Sequence, residues 1–327
     1  MSLTEPEVPG TIDAVPVRHP GRVVAVIITL VVTAMLVHQL FVNPAFDWPF
    51  TFEAMTQQPV IDGYIKGTLL VTVAAMVFGV LLGILLAVMR MSPNFVLRWI
   101  AGVYIWFFRG MPRYVLLAIL GGAGAFFAGG LIVIGVPYDE QILSLLGIHG
   151  TLRIGTIDAN VLFSSYAGAV LGLGLSEAAY MAEIARSGIL SVDKGQTEAA
   201  LALGMSRSQT MRRIVLPQAM RVIVPPTGNE TIAMFKDTSL LSALPLAGEM
   251  YFQLHSIGTA YYKLVPVLIA ATIYYLATAT VMGIGQSWLE RHFGRGYANG
   301  TTPTRGQAKA ASATSGETPL MFPGSDH

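Results

Sequence analysis

The sequence contains no cysteine and little charge: Asp, Glu, Lys and Arg make up 12% of its 327 residues. Without cysteine there are no disulfides, thiolate metal sites, iron–sulfur clusters or cysteine nucleophile, and the redox compartment stays open. A soluble domain carries about 25% charged residues, so half that share excludes an ordinary water-soluble enzyme of this length. The 20 basic and 19 acidic residues leave a formal charge of +1, so no bulk basicity points to nucleic acid. No G-x-x-x-x-G-K-[ST] segment is present, which removes the phosphate loop that ATP hydrolysis by this chain would use. His38, His149, His255 and His292 are scattered without metal-ligand spacing, and no Ser–His–Asp arrangement stands out. What the sequence does have is apolar surface: 53% hydrophobic residues and a mean hydropathy of +0.59.

A bilayer crossing needs about 20 consecutive apolar residues. Val23–Val42, Gly67–Met89, Tyr114–Val136 and Leu264–Leu289 qualify without a charge, and Val161–Ala182 qualifies with Glu177 in its last turns. Val222–Gly248 is the sixth candidate, although it contains Glu230, Lys236 and Asp237. Phe95–Phe108 is uncharged only from Trp99, too short to cross, and reads as an interfacial or partly inserted helix. The expectation is an all-α integral membrane protein of about six transmembrane helices. Trp48, Trp99, Trp106 and Trp288 fit interfacial belts. Gly121-Gly-Ala-Gly-Ala with Gly129-Gly130 reads as small-residue packing between helices.

Lys and Arg concentrate in cytoplasmic loops. Sixteen of the 20 precede the first run, join the second to the third (Arg90, Arg98, Arg109, Arg113), join the fourth to the fifth, or follow the sixth. The alternate connections hold only Lys66, Arg153 and Lys263. Both termini are therefore expected in the cytoplasm. Bulky Phe41-Val42-Asn43 follows the first run where a cleaved leader would have small residues, so an uncleaved anchor is expected. Residues 1–20 and 297–327 cannot bury enough apolar surface to order themselves and read as disordered tails.

The longest cytoplasmic loop, Ser187–Pro217, has the most regular local signals. Asp193 followed by Gln196, and Ser206 followed by Gln209, read as two capping boxes. Gly204 supplies the left-handed residue that ends the first helix, and Leu216-Pro217 is expected to stop the second. The product is a helix–Gly–helix element with Ala199, Ala200 and Leu203 as a small apolar face. It is either a docking knob for another protein or an interfacial connection between two spans.

The spacing Glu198-Ala199-Ala200, three residues, Gly204, nine residues, then Ile214-Val-Leu216-Pro217 resembles the E-A-A-x3-G-x9-I-x-L-P pattern of ATP-binding-cassette (ABC) importer permeases. Ala179 to Ile189, Pro217-Gln218-Ala219, Pro225 to Glu230, Lys236-Asp-Thr-Ser-Leu240 and Phe108-Arg-Gly-Met-Pro112 are similar to segments of the polar amino acid permeases in that group. Departures are Ser187 for Gly, Met111 for Thr, and Arg113 and Leu116 where an apolar residue and Gln are usual. The resemblance covers roughly residues 62–296, with 187–217 as the coupling loop. It implies a type I importer core of about five helices, with residues 21–61 adding a further transmembrane helix and an extracytoplasmic loop.

The resemblance also implies partners in a bacterial cell membrane. They are a cytoplasmic ABC ATPase dimer that binds ATP and magnesium, an extracytoplasmic amino-acid-binding protein, and a second copy or a paralogous permease. The chain itself would hold no cofactor or metal and would not be an enzyme. Glu198, Ala199, Ala200 and Gly204 would dock in a cleft of the ATPase, with Ile214, Leu216 and Pro217 completing the motif.

Charges inside the bilayer are costly and mark function or compensation. Glu177 and Glu230 are candidates for holding an ammonium or a cationic side chain, with Tyr180, Asn229, Asp237, Thr238 and Ser239 along the same path. Each has a plainer alternative: Glu177 pairing with a basic residue of another span, Glu230 bonding between helices, and Lys236 with Asp237 neutralising each other. Pro225-Pro226 and Gly228 are expected to interrupt the helix nearby. Arg109, Glu183 and Arg186 are candidate structural or gating residues, the last two being three apart on one helix face. A secondary transporter or channel, or a non-transporting scaffold, are the competing classes.

Overall fold

The computed structural model describes residues 20–127, 130–136, 139–147, 149–244 and 246–293. The expected tails, apart from Pro20, and Gly129 lie outside these residues. Helix α1, Pro20–Val42, is exposed along its whole length. It is tied to the next element by Trp48, whose Nε1 donates to Leu40 O at 2.7 Å. Helices α2 (Trp48–Thr56) and α3 (Gln58–Asp62) follow. A π-helical stretch, Gly63–Leu70, then runs from α3 into α4, Val71–Met91.

Phe50, Ala54 and Val60 of α2 and α3 are buried against Met250, Leu254, Val267 and Ala270. Of the segment expected as an addition, residues 48–61 thus pack against the later helices, whereas α1 is exposed. The reason is the apolar face of α2 and α3, which the body covers.

Helix α5 is Phe95–Gly110 and α6 is Arg113–Gly121. They meet at an angle of 97°. Pro112 forces Met111 into an extended conformation, which ends α5. Together the two helices make one apolar segment of sufficient length, sharply bent at Met111–Pro112. Phe95–Phe108 is one half of that bent pair, compatible with the partly inserted helix expected there, whereas Tyr114–Val136 is not the continuous span expected. Gly121-Gly122 ends α6, and the chain goes on as a 3₁₀ turn, Ala123–Phe126, and then strand β1, Leu131–Gly135.

Strand β1 pairs antiparallel with β2, Arg153–Asp158. Helix α7, Asp139–Leu145, lies between them and α8, Ala159–Phe163, follows. This ribbon is the one departure from an all-helical chain among the described residues.

Helix α9, Tyr166–Leu190, runs parallel to α4. A Cβ on Gly79 would stand 2.8 Å from Glu177 Cβ, and one on Gly83 would meet Met181 Cβ at 2.5 Å. A close small-residue seam therefore lies between α4 and α9, and in the glycine run Gly124 and Gly130 lie against the side chain of Asn160. Helix α12 is Leu216–Asp237, followed by a 3₁₀ segment, Thr238–Ala243, and α13, Met250–Ala260. Helix α14, Leu264–Phe293, returns to the cytoplasmic side.

The proline pair does not break α12. Gly228 lets the α14 residue Gln286 approach, and its Nε2 donates to Pro225 O at 2.7 Å. Among the described residues, three helical stretches are long and apolar enough by themselves to cross a bilayer, α1, α3 through α4, and α14, and the bent α5–α6 pair makes a fourth. Helices α9 and α12 have the length but carry the charged residues noted in the sequence. The exposed stripe Val73, Val77, Leu81, Leu85 and Val88 on α4 repeats at helical spacing and suits acyl chains.

Candidate functional site

The cytoplasmic element folds as its local signals require. Helix α10, Lys194–Ala202, is capped by Asp193, which accepts from Gly195 N rather than from Gln196 N through its side chain. Gly204 has φ +80. Its N–H donates to Leu201 O at 3.0 Å and that of Met205 to Ala200 O at 3.1 Å, the two bonds of a Schellman motif. The second capping box is complete: Gln209 N donates to Ser206 Oγ, and Ser206 N to Gln209 Oε1.

Two expectations about this element change. Leu216-Pro217 does not stop the helix that begins as α11, Arg207–Thr210. A π-helical stretch, Met211–Val215, leads directly into α12, and Gln218 Nε2 donates to Ile214 O at 3.0 Å. The expected apolar face also divides. Ala200 is buried beneath the element, whereas Glu198, Ala199 and Leu203 face outward, Leu203 being 84% exposed.

The second site lies within the bilayer, where Arg113 gathers three carboxylates. Its Nη2 is 2.8 Å from Glu177 Oε2 and 3.9 Å from Glu230 Oε2, and its Nη1 is 2.5 Å from Asp237 Oδ2. Arg113 is the first residue of α6, so the Met111–Pro112 break is what aims it into the body. Glu177 lies 11 residues after Tyr166 and 13 before Leu190 in α9. At about 1.5 Å per residue, that is nearly the middle of the crossing.

Arg113 was expected in a cytoplasmic connection; it sits instead at membrane depth. The pull of three carboxylates offsets the cost of placing it there. The plainer reading of Glu177, a pair with a basic residue of another span, is the one realised.

The cluster is not balanced. One guanidinium faces three carboxylates, leaving two formal negative charges. Glu177 is fully buried, and its Oε1 has no hydrogen-bond partner, a state it shares with the neighbouring Ser176 Oγ among the described residues. Glu230 and Asp237 are 28% and 30% exposed, so the cluster opens on their side. Tyr180 flanks it: the Arg113 guanidinium lies 4.9 Å from the ring centroid and that of Arg109 5.6 Å.

Other expected residues fall elsewhere. Lys236 does not neutralise Asp237; it is exposed on another side and lines a cavity of about 620 Å³ with Ser239, Ser242 and Tyr251. Thr238 Oγ1 and Ser239 Oγ donate to carbonyls of their own turn, Phe235 O and Lys236 O. Asn229 is exposed and outside the cluster. Glu183 and Arg186 make the expected pair, at 2.8 Å. Leu116 is buried in the body.

A second buried carboxylate, Glu249, caps α13. Thr68 Oγ1 and Tyr275 OH donate to its Oε1 at 3.0 and 3.1 Å, and Phe252 N to its Oε2 at 3.0 Å. A Cβ on Gly67 would stand 2.6 Å from Glu249 Cα, so glycine there admits the contact. Neither Arg113, noted only as a departure from the motif and as part of a connection, nor Glu249 is among the site residues expected from sequence. For Arg113 a signal existed: joining Trp99–Phe108 to Tyr114–Gly121 gives a crossing of adequate length with an arginine inside.

Comparisons with known proteins fit this architecture. Over 289 residues the chain is 42% identical to the arginine transport system permease protein ArgU of Corynebacterium glutamicum, covering 88% of this chain and 85% of that one. It is 35% identical over 246 residues to the glutamate/aspartate import permease protein GltK of Escherichia coli O157:H7, covering 75% and 97%. Among solved structures, an amino acid ABC transporter crystallised with histidines matches at 30% identity and a TM-score of 0.54, covering 72% of this chain and 94% of that one. An alginate ABC transporter shares the fold at 15% identity and a TM-score of 0.51, covering 83% and 96%. The profile of binding-protein-dependent transport system inner membrane components matches residues 79–295. A multi-pass chain matched over this much of the profile belongs to that family, the inner membrane components of binding-protein-dependent transport systems.

Proposed function

We propose that this chain forms half of the translocation path of an ATP-driven importer for amino acids with a cationic side chain. The observation that supports this most is the mid-bilayer cluster, with two formal negative charges in excess and a fully buried, unpartnered Glu177 Oε1. A guanidinium or ammonium arriving past Glu230 and Asp237 satisfies both deficits. The relative at 42% identity is named for arginine transport, which agrees in chemistry. The relative named for glutamate and aspartate makes the test necessary.

The working assembly contains two ATPase subunits that bind ATP and magnesium, an extracytoplasmic amino-acid-binding protein, and a second permease, identical or paralogous. Leu203, Ala199 and Glu198 dock on the ATPase, and Gly204 sets the angle at which α10 meets it. ATP binding closes the ATPase pair, and the docked elements shift the α9–α12 connection. The two permease halves then exchange inward for outward access. Glu183 and Arg186, at the cytoplasmic end of α9, move with that connection.

The test is competitive uptake in proteoliposomes holding the full assembly, comparing arginine, glutamine and glutamate. Glu230→Gln is expected to weaken arginine uptake at least about tenfold, the scale of one lost charge-assisted contact, with the ATPase still attached. Equal retention of all three substrates refutes the assignment of the cluster. Uptake without the ATPase points instead to a secondary transporter, and absence of uptake by the wild-type assembly to a scaffold.

A further inference from the structure

Arg113 is the sole cation paired with Glu177, Glu230 and Asp237 among the described residues. Its guanidinium is 12% exposed and touches all three. Its backbone lies at the end of a half-helix, beside the Met111–Pro112 break, rather than in the middle of a continuous helix. The face of Tyr180, 4.9 Å from the guanidinium, already holds it by a cation–π contact that does not depend on the carboxylates. The carboxylates exceed what one guanidinium can neutralise, and the buried Glu177 Oε1 accepts from nothing. A cationic side chain on a free molecule offers the same donors that Arg113 now supplies.

We propose that Arg113 is a tethered competitor for the cationic group of the cargo. Its guanidinium holds the Glu177–Glu230–Asp237 subsite while the path is empty. It yields Glu230 and Asp237 to the arriving cation, leaning on Tyr180, and returns as the cargo leaves. This rests on reading the cluster as the cation's path. Its consequence is a limit on affinity. Three converging carboxylates, one of them fully buried, hold a cation strongly, and a resident guanidinium keeps that site from becoming a trap. Arg113 is thus an affinity-setting residue that also favours cargo able to replace a guanidinium.

The test is equilibrium binding of radiolabelled L-arginine to the purified permease–ATPase assembly in nanodiscs, without the binding protein, alongside ATP-driven uptake in proteoliposomes. Arg113→Gln is expected to tighten binding about tenfold, the factor for a competitor that occupies the subsite nine-tenths of the time. Maximal uptake is expected to slow because release is delayed, and Arg113→Lys is expected to fall between. If the single variant does not assemble, Arg113→Gln with Glu177→Gln removes the buried charge left unpaired. It is expected to show the same tightening through Glu230 and Asp237. Unchanged or weaker binding in the assembled variants overturns the competitor. Weakened binding in Glu230→Gln without tightening in Arg113→Gln overturns it while leaving the path in place. No change in either variant overturns the path as well.

Discussion

Two glutamates are fully buried in this chain, and they are handled in opposite ways. Glu249 is enclosed by donors that come without charge: two hydroxyls and the first free N–H groups of α13. Both of its oxygens are satisfied, and the region around it is closed by glycine contacts at residues 63 and 67. Glu177 has a full counter-charge in Arg113 but leaves one oxygen empty, and it shares its partner with two further acids. A satisfied buried carboxylate fixes a structure. An unsatisfied one beside surplus charge keeps a place for something else. The difference separates the scaffold of this permease from the path we propose, although both residues are equally inaccessible to water.

The largest expected effect comes from emptying the Glu249 cage. Glu249→Leu strands two hydroxyls and an N–H, at about 1–3 kcal/mol each. Thermal denaturation in detergent is expected to show a loss of at least about 3 kcal/mol, or no assembled protein.

Gly204→Val separates coupling from the cluster. No atom stands within 4 Å of a Cβ there, but φ is +80, so the cost is backbone strain of about 1–2 kcal/mol or more for a β-branched residue. That strain turns α10 out of line. Membrane insertion and arginine binding are expected to stay intact, while ATP-driven uptake and ATPase retention on purification are lost.

The amide substitutions compare the two acids directly. In Glu249→Gln the hydroxyls of Thr68 and Tyr275 rotate to accept from the new NH₂ group, so uptake and stability are expected within about twofold of wild type. In Glu177→Gln the guanidinium has no lone pair to offer, and arginine uptake is expected to fall at least about tenfold. Matched kinetics for these two variants would erase the distinction between them.

The smallest effect is expected outside the bilayer, where Lys263 Nζ donates to Asp47 Oδ2 at 2.7 Å and stands 4.5 Å from the centre of the Phe50 ring. The bond from Lys263 holds the Asp47 carboxyl below the usual carboxylate range, with a second bond from Phe50 N acting the same way. A lowered folded-state value means that the stabilisation is complete above the ordinary value and fades as pH falls through the lowered one. Asp47→Asn is therefore expected to lower the melting temperature slightly near neutrality. The gap from wild type is expected to close as pH drops below about 4.

The coupling element was legible because everything that shapes it is local. Ser206 and Gln209 are three residues apart, Gly204 terminates its own helix, and no distant partner is needed. Helices α1, α4, α9, α12 and α14 were legible as apolar runs for the same reason. The charged cluster was not, because it joins residues 113, 177, 230 and 237 from three helices. Charge bias assigned Arg113 to a loop, and only the bend at Met111–Pro112, which makes two short helices into one crossing, moves it into the bilayer. Lys236 misled through adjacency: neighbours on a helix point about 100° apart, so Asp237 turned to Arg113 and Lys236 turned away. Pro217 and Pro225-Pro226 suggested helix ends, yet a π-helical turn and a side chain from α14 let the helix continue through them.

The central claim is that the Arg113 cluster conducts a cationic side chain under ATP drive. It is tested most directly by arginine uptake relative to glutamine uptake in proteoliposomes holding the assembled transporter with Glu177→Gln and Glu230→Gln combined. The ratio is predicted to collapse toward unity while ATPase attachment persists. A ratio equal to that of the unmodified assembly would contradict the claim.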